Sequence, residues 1–173
     1  MALYRVNNGA SAAAAAPVKV AVNASGIKTM LQLLHATQGM YIVEWGISFD
    51  ATAAATPFEV ELCETVAVAA TVTAFAANDV TTYDGPVDSN VASAGGITLS
   101  TTGSGYSASS EGTVAAPVRS GDLQLISPTN QNILQFPLGQ EFYIPATHVC
   151  RIRVTAASAA NCYCYLKFKI GGD

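Results

Sequence analysis

Residues 148–170, HVCRIRVTAASAANCYCYLKFKI, place one histidine and three cysteines within seventeen positions. Two readings compete: a metal or redox centre, or two strands whose small core side chains happen to be thiols. On a strand, alternate residues share a face. That period sets His148, Cys150, Ile152 and Val154 on one side, and Cys162, Cys164, Leu166, Phe168 and Ile170 on one side of the last strand. Arg151, Arg153, Tyr163, Tyr165, Lys167 and Lys169 take the opposite sides. A tetrahedral zinc site usually draws its ligands from turns that let them converge, whereas this spacing is a strand repeat. If the two strands formed a hairpin, matching the apolar faces would leave Cys150 and Cys164 diagonal, about 7–8 Å apart and long for a disulfide. If they lay in facing sheets, the thiols would look at each other across about 10 Å. The pattern predicts core thiols, with a disulfide and a Cys3His metal site as the alternatives. Cys63 falls on the face of Glu59 and Glu61 and stays outside the group.

The same alternation runs through most of the 173 residues. PFEVELCET sends Phe58, Val60 and Leu62 inward and Glu59, Glu61 and Thr65 outward, with Pro57 at the strand start where its missing N–H does least harm. MYIVEWGISFD predicts Tyr41, Val43, Trp45, Ile47 and Phe49 on the core face and Glu44, Gly46, Ser48 and Asp50 on the other. IKTMLQLLHA, residues 27–36, reads as strand, although Met30, Leu31 and Leu34 also fit a helical stripe. A short strand is expected over Val18–Val22. Residues 1–17 read as an N-terminal arm, polar and then alanine-rich, and 18–173 as a single domain. The Ser/Gly/Thr-rich stretch from Val87 to Gly112 reads as a long surface excursion. About eight to ten strands result, so the expected fold class is all-β: an antiparallel jelly-roll β-sandwich with an extended N-terminal arm. An immunoglobulin sandwich is disfavoured because no cysteine precedes Trp45.

Composition narrows the function. Half of the residues are hydrophobic and 12% are charged, against about 25% charged in ordinary soluble domains. Such a surface suits burial against other subunits. A net charge of −4 with eight Lys plus Arg argues against phosphate-driven nucleic-acid binding. No apolar run approaches a membrane span of about 20 residues. MALYRVNNGAS lacks the apolar segment of a secretory signal, so Cys63, Cys150, Cys162 and Cys164 are expected reduced and Asn23-Ala24-Ser25 unglycosylated.

No catalytic constellation stands out, and the expectation is a protein without enzymatic activity, metal or cofactor. His35 and His148 sit within predicted strands, no GxSxG elbow exists, and Glu59 with Glu61 reads as a solvated strand face. Tyr163 and Tyr165 alternate with Lys167 and Lys169 on the side away from the core, and tyrosines are favoured at interfaces. A symmetric homo-oligomer, a trimer, is the expectation.

EWGISFDATAAATPFEVELCET and LQFPLGQEFYIPATHVCRIRVTAASAANCYCYLKFKI together resemble the small jelly-roll head decoration, or capsid-stabilising, proteins of tailed bacteriophages. The likeness lies in strand and turn patterns rather than in signature residues. It implies a trimer of the tumour-necrosis-factor type, assembled in the host cytoplasm and seated on the virion's outer capsid surface, with the major capsid protein as partner. The arm would tether it, with Tyr4 and Arg5 as contact residues beside Tyr163 and Tyr165. Two other readings stand beside it. One is a carbohydrate- or receptor-binding jelly-roll module, such as a tail-fibre or adhesin tip; the other is a metal-dependent enzyme of the cupin kind.

Overall fold

Strands with one apolar face must bury it, and here they do so by pairing two antiparallel sheets. The computed structural model describes residues 2–10, 17–24, 26–52, 56–84, 96–113 and 118–171. The strands are β1 (Leu3–Asn7), β2 (Val20–Ala21), β3 (Gly26–Leu34), β4 (Met40–Phe49), β5 (Phe58–Val66), β6 (Thr71–Ala74) and β7 (Val80–Thr82), followed by β8 (Gly105–Ser110), β9 (Val118–Ile126), β10 (Gln131–Gln135), β11 (Phe142–Ile144), β12 (His148–Ala156) and β13 (Asn161–Ile170). One sheet runs β10-β4-β13-β1-β7, with β11 also on β4 and β2 on β13; the other runs β6-β8-β3-β12-β5-β9. This is the all-β sandwich expected from the alternation. Residues 27–34 are strand, not helix, and β12 and β13 lie in different sheets rather than in one hairpin.

Pairing is nested: β1 with β13, β3 with β12, β4 with β10 and β5 with β9. Between the sheets lies one core that includes Met30, Leu31, Leu33, Trp45, Phe58, Leu62, Ile152, Leu166 and Phe168. Phe49 of one sheet meets Phe58 of the other edge-on, with ring centroids 5.1 Å apart. Cys150, Cys162 and Cys164 are buried in this core as free thiols, and Cys63 is buried as well.

Three expectations need correction. First, the stretch read as an arm contains β1, held between β13 and β7. Val6 is buried on its inner side, and Asn8 just beyond is anchored to β13: its Oδ1 accepts from Cys164 N at 2.8 Å and its Nδ2 donates to Cys162 O at 3.2 Å. The alanine tract 11–16 lies outside the described residues, as does much of the Val87–Gly112 excursion, of which residues 96–112 include β8.

Second, Tyr41 and Val43 are not core residues. The β4–β13 ladder shifts register between Lys167 and Phe168, so Met40 and Ile42 point inward before the irregularity and Trp45, Ile47 and Phe49 after it. One extra residue in a strand reverses which parity faces the core.

Third, Arg151 and Arg153 lie on the far side from the core yet are buried, Arg151 completely. The chain following β5 and the residues around β8 cover this part of the second sheet. Arg151 donates to Val68 O at 2.7 Å and lies 3.6 Å from a Glu111 carboxylate oxygen, while Arg153 pairs with Glu61 at 2.7 Å. Beside them Gln32 donates to Gly103 O at 2.5 Å and accepts from Ala70 N at 2.8 Å. The outcome is a polar second layer in which the guanidinium ends and the Gln32 amide take backbone or carboxylate partners, while the Nε atoms of Arg151 and Arg153 are buried without a hydrogen-bond partner.

Candidate functional site

The outer face of the seven-stranded sheet collects the outward side chains of β4, β13, β1 and β10 in cross-strand rows. Gln131, Ser48 and Tyr163 form one row, and Ile133, Gly46, Tyr165 and Asn7 the next. Gln135, Glu44, Lys167, Arg5 and Thr81 make the third. Gly46 is required here because the Tyr165 ring lies across it: a Cβ at that position would sit 2.5 Å from a ring carbon.

The charges of this face are satisfied within it. Tyr165 donates to Glu44 Oε1 at 2.5 Å and Lys167 pairs with the same oxygen at 2.9 Å. Lys167 also stands 4.3 Å from the Tyr83 ring centre, and the Arg5 guanidinium lies 4.5 Å above the Tyr165 ring. These are cation–π distances. Burial pushes the Glu44 carboxyl up, but the Tyr165 and Lys167 hydrogen bonds and the Lys167 and Arg5 charges outweigh it and hold the group below its ordinary value. Burial likewise works against the Lys167 charge, yet the Glu44 and Tyr83 contacts leave its pKa raised. The Tyr165 phenol is displaced upward, first by burial and then by its bond to the Glu44 carboxylate. Further along, Lys169 lies 3.7 Å from Glu141, and Tyr41 packs on Tyr143 with centroids 4.9 Å apart.

Three of the four expected contact residues, Arg5, Tyr163 and Tyr165, therefore share this face. Tyr4 does not: it is half-buried on the inner side, its ring 5.6 Å from that of Phe168. Tyr163 keeps an exposed ring while donating to Pro17 O at 2.6 Å, which ties the segment before β2 to the face. Lys19 reinforces that tie through Asp50 at 2.6 Å. Glu44 and Tyr83 escaped the sequence reading as members of the site. Glu44's outward parity was visible, but Tyr83 lies beyond β7 in a turn with no pattern to place it.

A second polar group closes one side of the sandwich. Glu64, on the inner side of β5 and almost fully buried, receives His148 Nδ1 on one carboxylate oxygen and Arg119 on the other. Arg119 also donates to Tyr143 O and stacks 4.6 Å over Phe142, so it joins the edge strand β9 to β11 of the other sheet. His148 is thus a hydrogen-bond partner of Glu64 beside Cys150, not a member of a thiol cluster. Among the described residues no three His, Cys, Asp or Glu side chains gather as a metal-binding group. The thiols are poor nucleophiles: burial pushes Cys63 up to about 12, and Cys150 and Cys164 well above the ordinary thiol range.

No protein-family model, no curated protein and no solved structure matches the chain.

Proposed function

We propose that the chain is a structural protein of a tailed-phage virion, a head decoration protein that binds the outer capsid surface as a homotrimer and stabilises the shell without chemistry. One observation carries the reading: a broad sheet face, rich in tyrosine, whose charges are already paired inside it. Covering such a face desolvates no unpartnered ion, whereas a solvated face of free lysines and glutamates resists burial. The nested strand pairing supports a jelly-roll winding, the architecture expected from the resembling segments. The fully buried core thiols and a His148 hydrogen-bonded to Glu64 fit a passive role better than a cupin-like metal enzyme.

The competing carbohydrate-binding reading draws less support, since Trp45 is buried and Lys167 and Arg5 occupy the faces of Tyr83 and Tyr165 against which a sugar would stack. The experiment is co-sedimentation of purified protein with expanded capsids of a tailed phage whose genome encodes this chain. Saturable binding with raised capsid melting temperature is expected. Protein that stays in the supernatant at micromolar concentration while hits appear on a glycan array would replace this reading with the sugar-binding one.

A further inference from the structure

His35, just past the end of β3, is a buried titratable group that neither site above uses. Three stretches of chain meet on it. Its carbonyl accepts from Thr147 N at 2.9 Å, which adds a rung to the β3–β12 ladder beyond Leu34 and Val149. It forms a single bridge with Ile97, flanked by bonds from Ala36 N to Gly96 O at 3.5 Å and from Thr98 N to Leu34 O at 2.9 Å. Its ring lies against Gly96, where a Cβ would stand 2.8 Å from the ring carbon Cε1. The ring nitrogen Nδ1 accepts from Gln38 N at 2.9 Å and from Thr37 N at 3.3 Å, which fixes the turn into β4.

Those two N–H groups determine the state of the ring. A neutral imidazole has one acceptor and one donor nitrogen, so an accepting Nδ1 puts the proton on Nε2. A protonated ring has an N–H on each nitrogen and accepts nothing. Adding the proton sets a ring N–H against those of Thr37 and Gln38, at a residue only 1% exposed, where water cannot take their place. Strain lies next to it. Thr147, whose N–H bonds to His35 O, has φ +67°, a left-handed conformation that a β-branched residue keeps only where its surroundings hold it.

We infer that His35 is a proton-operated clasp: the neutral ring joins residues 36–38, 96–98 and 145–147, and its protonation releases them together while the sandwich stays folded. The turn it holds also meets Gly171 and the Tyr143 ring at Gly39. On the elements that surround it the described titratable groups are Glu64 with His148 and Arg119, Glu141 with Lys169, and Tyr41 with Tyr143. Both carboxylates are already engaged with a cation, Arg119 or Lys169. His148 responds to acid in the opposite sense, since its Nδ1 faces the Glu64 carboxylate and a proton there turns the hydrogen bond into an ion pair. The clasp goes beyond the decoration reading and stands without it.

Amide hydrogen exchange of the full-length chain, followed by NMR at pH 7.5 and pH 5 on either side of the ordinary imidazole value of about 6.5, tests this. After correction for the intrinsic pH dependence of exchange, protection at Gln38, Thr98 and Thr147 is expected to fall about tenfold at the lower pH, the population shift that one lost hydrogen bond gives. The amides of β13 are expected to keep theirs. His35→Asn places a carbonyl oxygen near the position of Nδ1 and takes up no proton, so its protection is expected to be equal at the two pH values. His148→Gln is expected to leave the wild-type response in place. Equal protection at both pH values in the wild-type chain overturns the inference, as does an acid response that survives in His35→Asn or vanishes in His148→Gln. A parallel loss in β13 overturns it too, because acid then loosens the whole sandwich. If His35→Asn does not fold, the ring C–H resonances of the wild-type chain decide: loss of protection that follows the His35 titration supports the clasp, and loss that follows His148 overturns it.

Discussion

Glu44 serves three neighbours at once, and its substitution has a defined pH signature. Its carboxyl is held below the ordinary value in the folded chain, so its contribution is fully present above that ordinary value and is lost as pH falls through the depressed one. Lys167 has the opposite sense: its raised pKa contributes below the ordinary lysine value and is lost as pH rises through the folded one. Glu44→Gln is expected to cost about 1–2 kcal/mol at pH 7, since glutamine still accepts from Tyr165 but no longer pairs with Lys167. The loss should shrink as pH falls through the depressed Glu44 value, where the wild-type carboxylate is itself protonated. Urea titrations at pH 7 and pH 3 measure both; an equal loss at the two pH values contradicts the assignment. The thiols give a second test at this scale. With all four cysteines buried and the Cys63, Cys150 and Cys164 pKa values raised, a thiol-specific reagent at pH 8 is expected to label the native chain only at its unfolding rate, and all four sites in urea. Prompt labelling of native protein would refute it.

At the scale of elements, the sandwich depends on close approaches that alternation does not encode. Gly105 opens β8 against β6, where a Cβ would lie 2.2 Å from Thr73 O, a backbone atom that cannot swing aside. Gly105→Ala is expected to cost about 2–3 kcal/mol by forcing the two strands apart. Arg119 links β9 to β5 and β11, and Arg119→Ala leaves a buried carboxylate with the His148 ring as its remaining hydrogen-bond partner, for an expected loss of about 2 kcal/mol, discounted because the guanidinium is half exposed. Equilibrium unfolding of both variants checks these values; a change under about 0.5 kcal/mol for either one speaks against its role. Period-two patterning found β3, β4, β5, β12 and β13 because each carries enough apolar residues to bury one side. It failed at β1, read as an arm, and at β7, three residues that are strand by backbone pairing with β1 rather than by side-chain pattern. It also assigned Tyr41 to the wrong face, because a register shift leaves no residue signature in YIVEWG.

For the whole molecule, alternation and composition were enough to predict two antiparallel sheets over one core, and the parity of β13 was enough to place Tyr163, Tyr165, Lys167 and Lys169 together outside it. What a single chain's pattern leaves illegible is how segments distant in sequence meet. The buried layer of Arg151, Arg153, Gln32 and Glu111 and the joining of Tyr83 to Lys167 depend on such meetings. The exposure of Leu123, Leu125 and Ile133 belongs to this scale too, because each alternates as a core residue would and its place on an edge strand is visible only in the sheet order. A chain with an internally paired, tyrosine-rich face and 12% charged residues suits the proposed contact with its own kind. Sedimentation equilibrium of the wild-type chain across the micromolar range tests that most directly. The account requires three times the 17.8 kDa chain mass, and a single-chain mass throughout would contradict it.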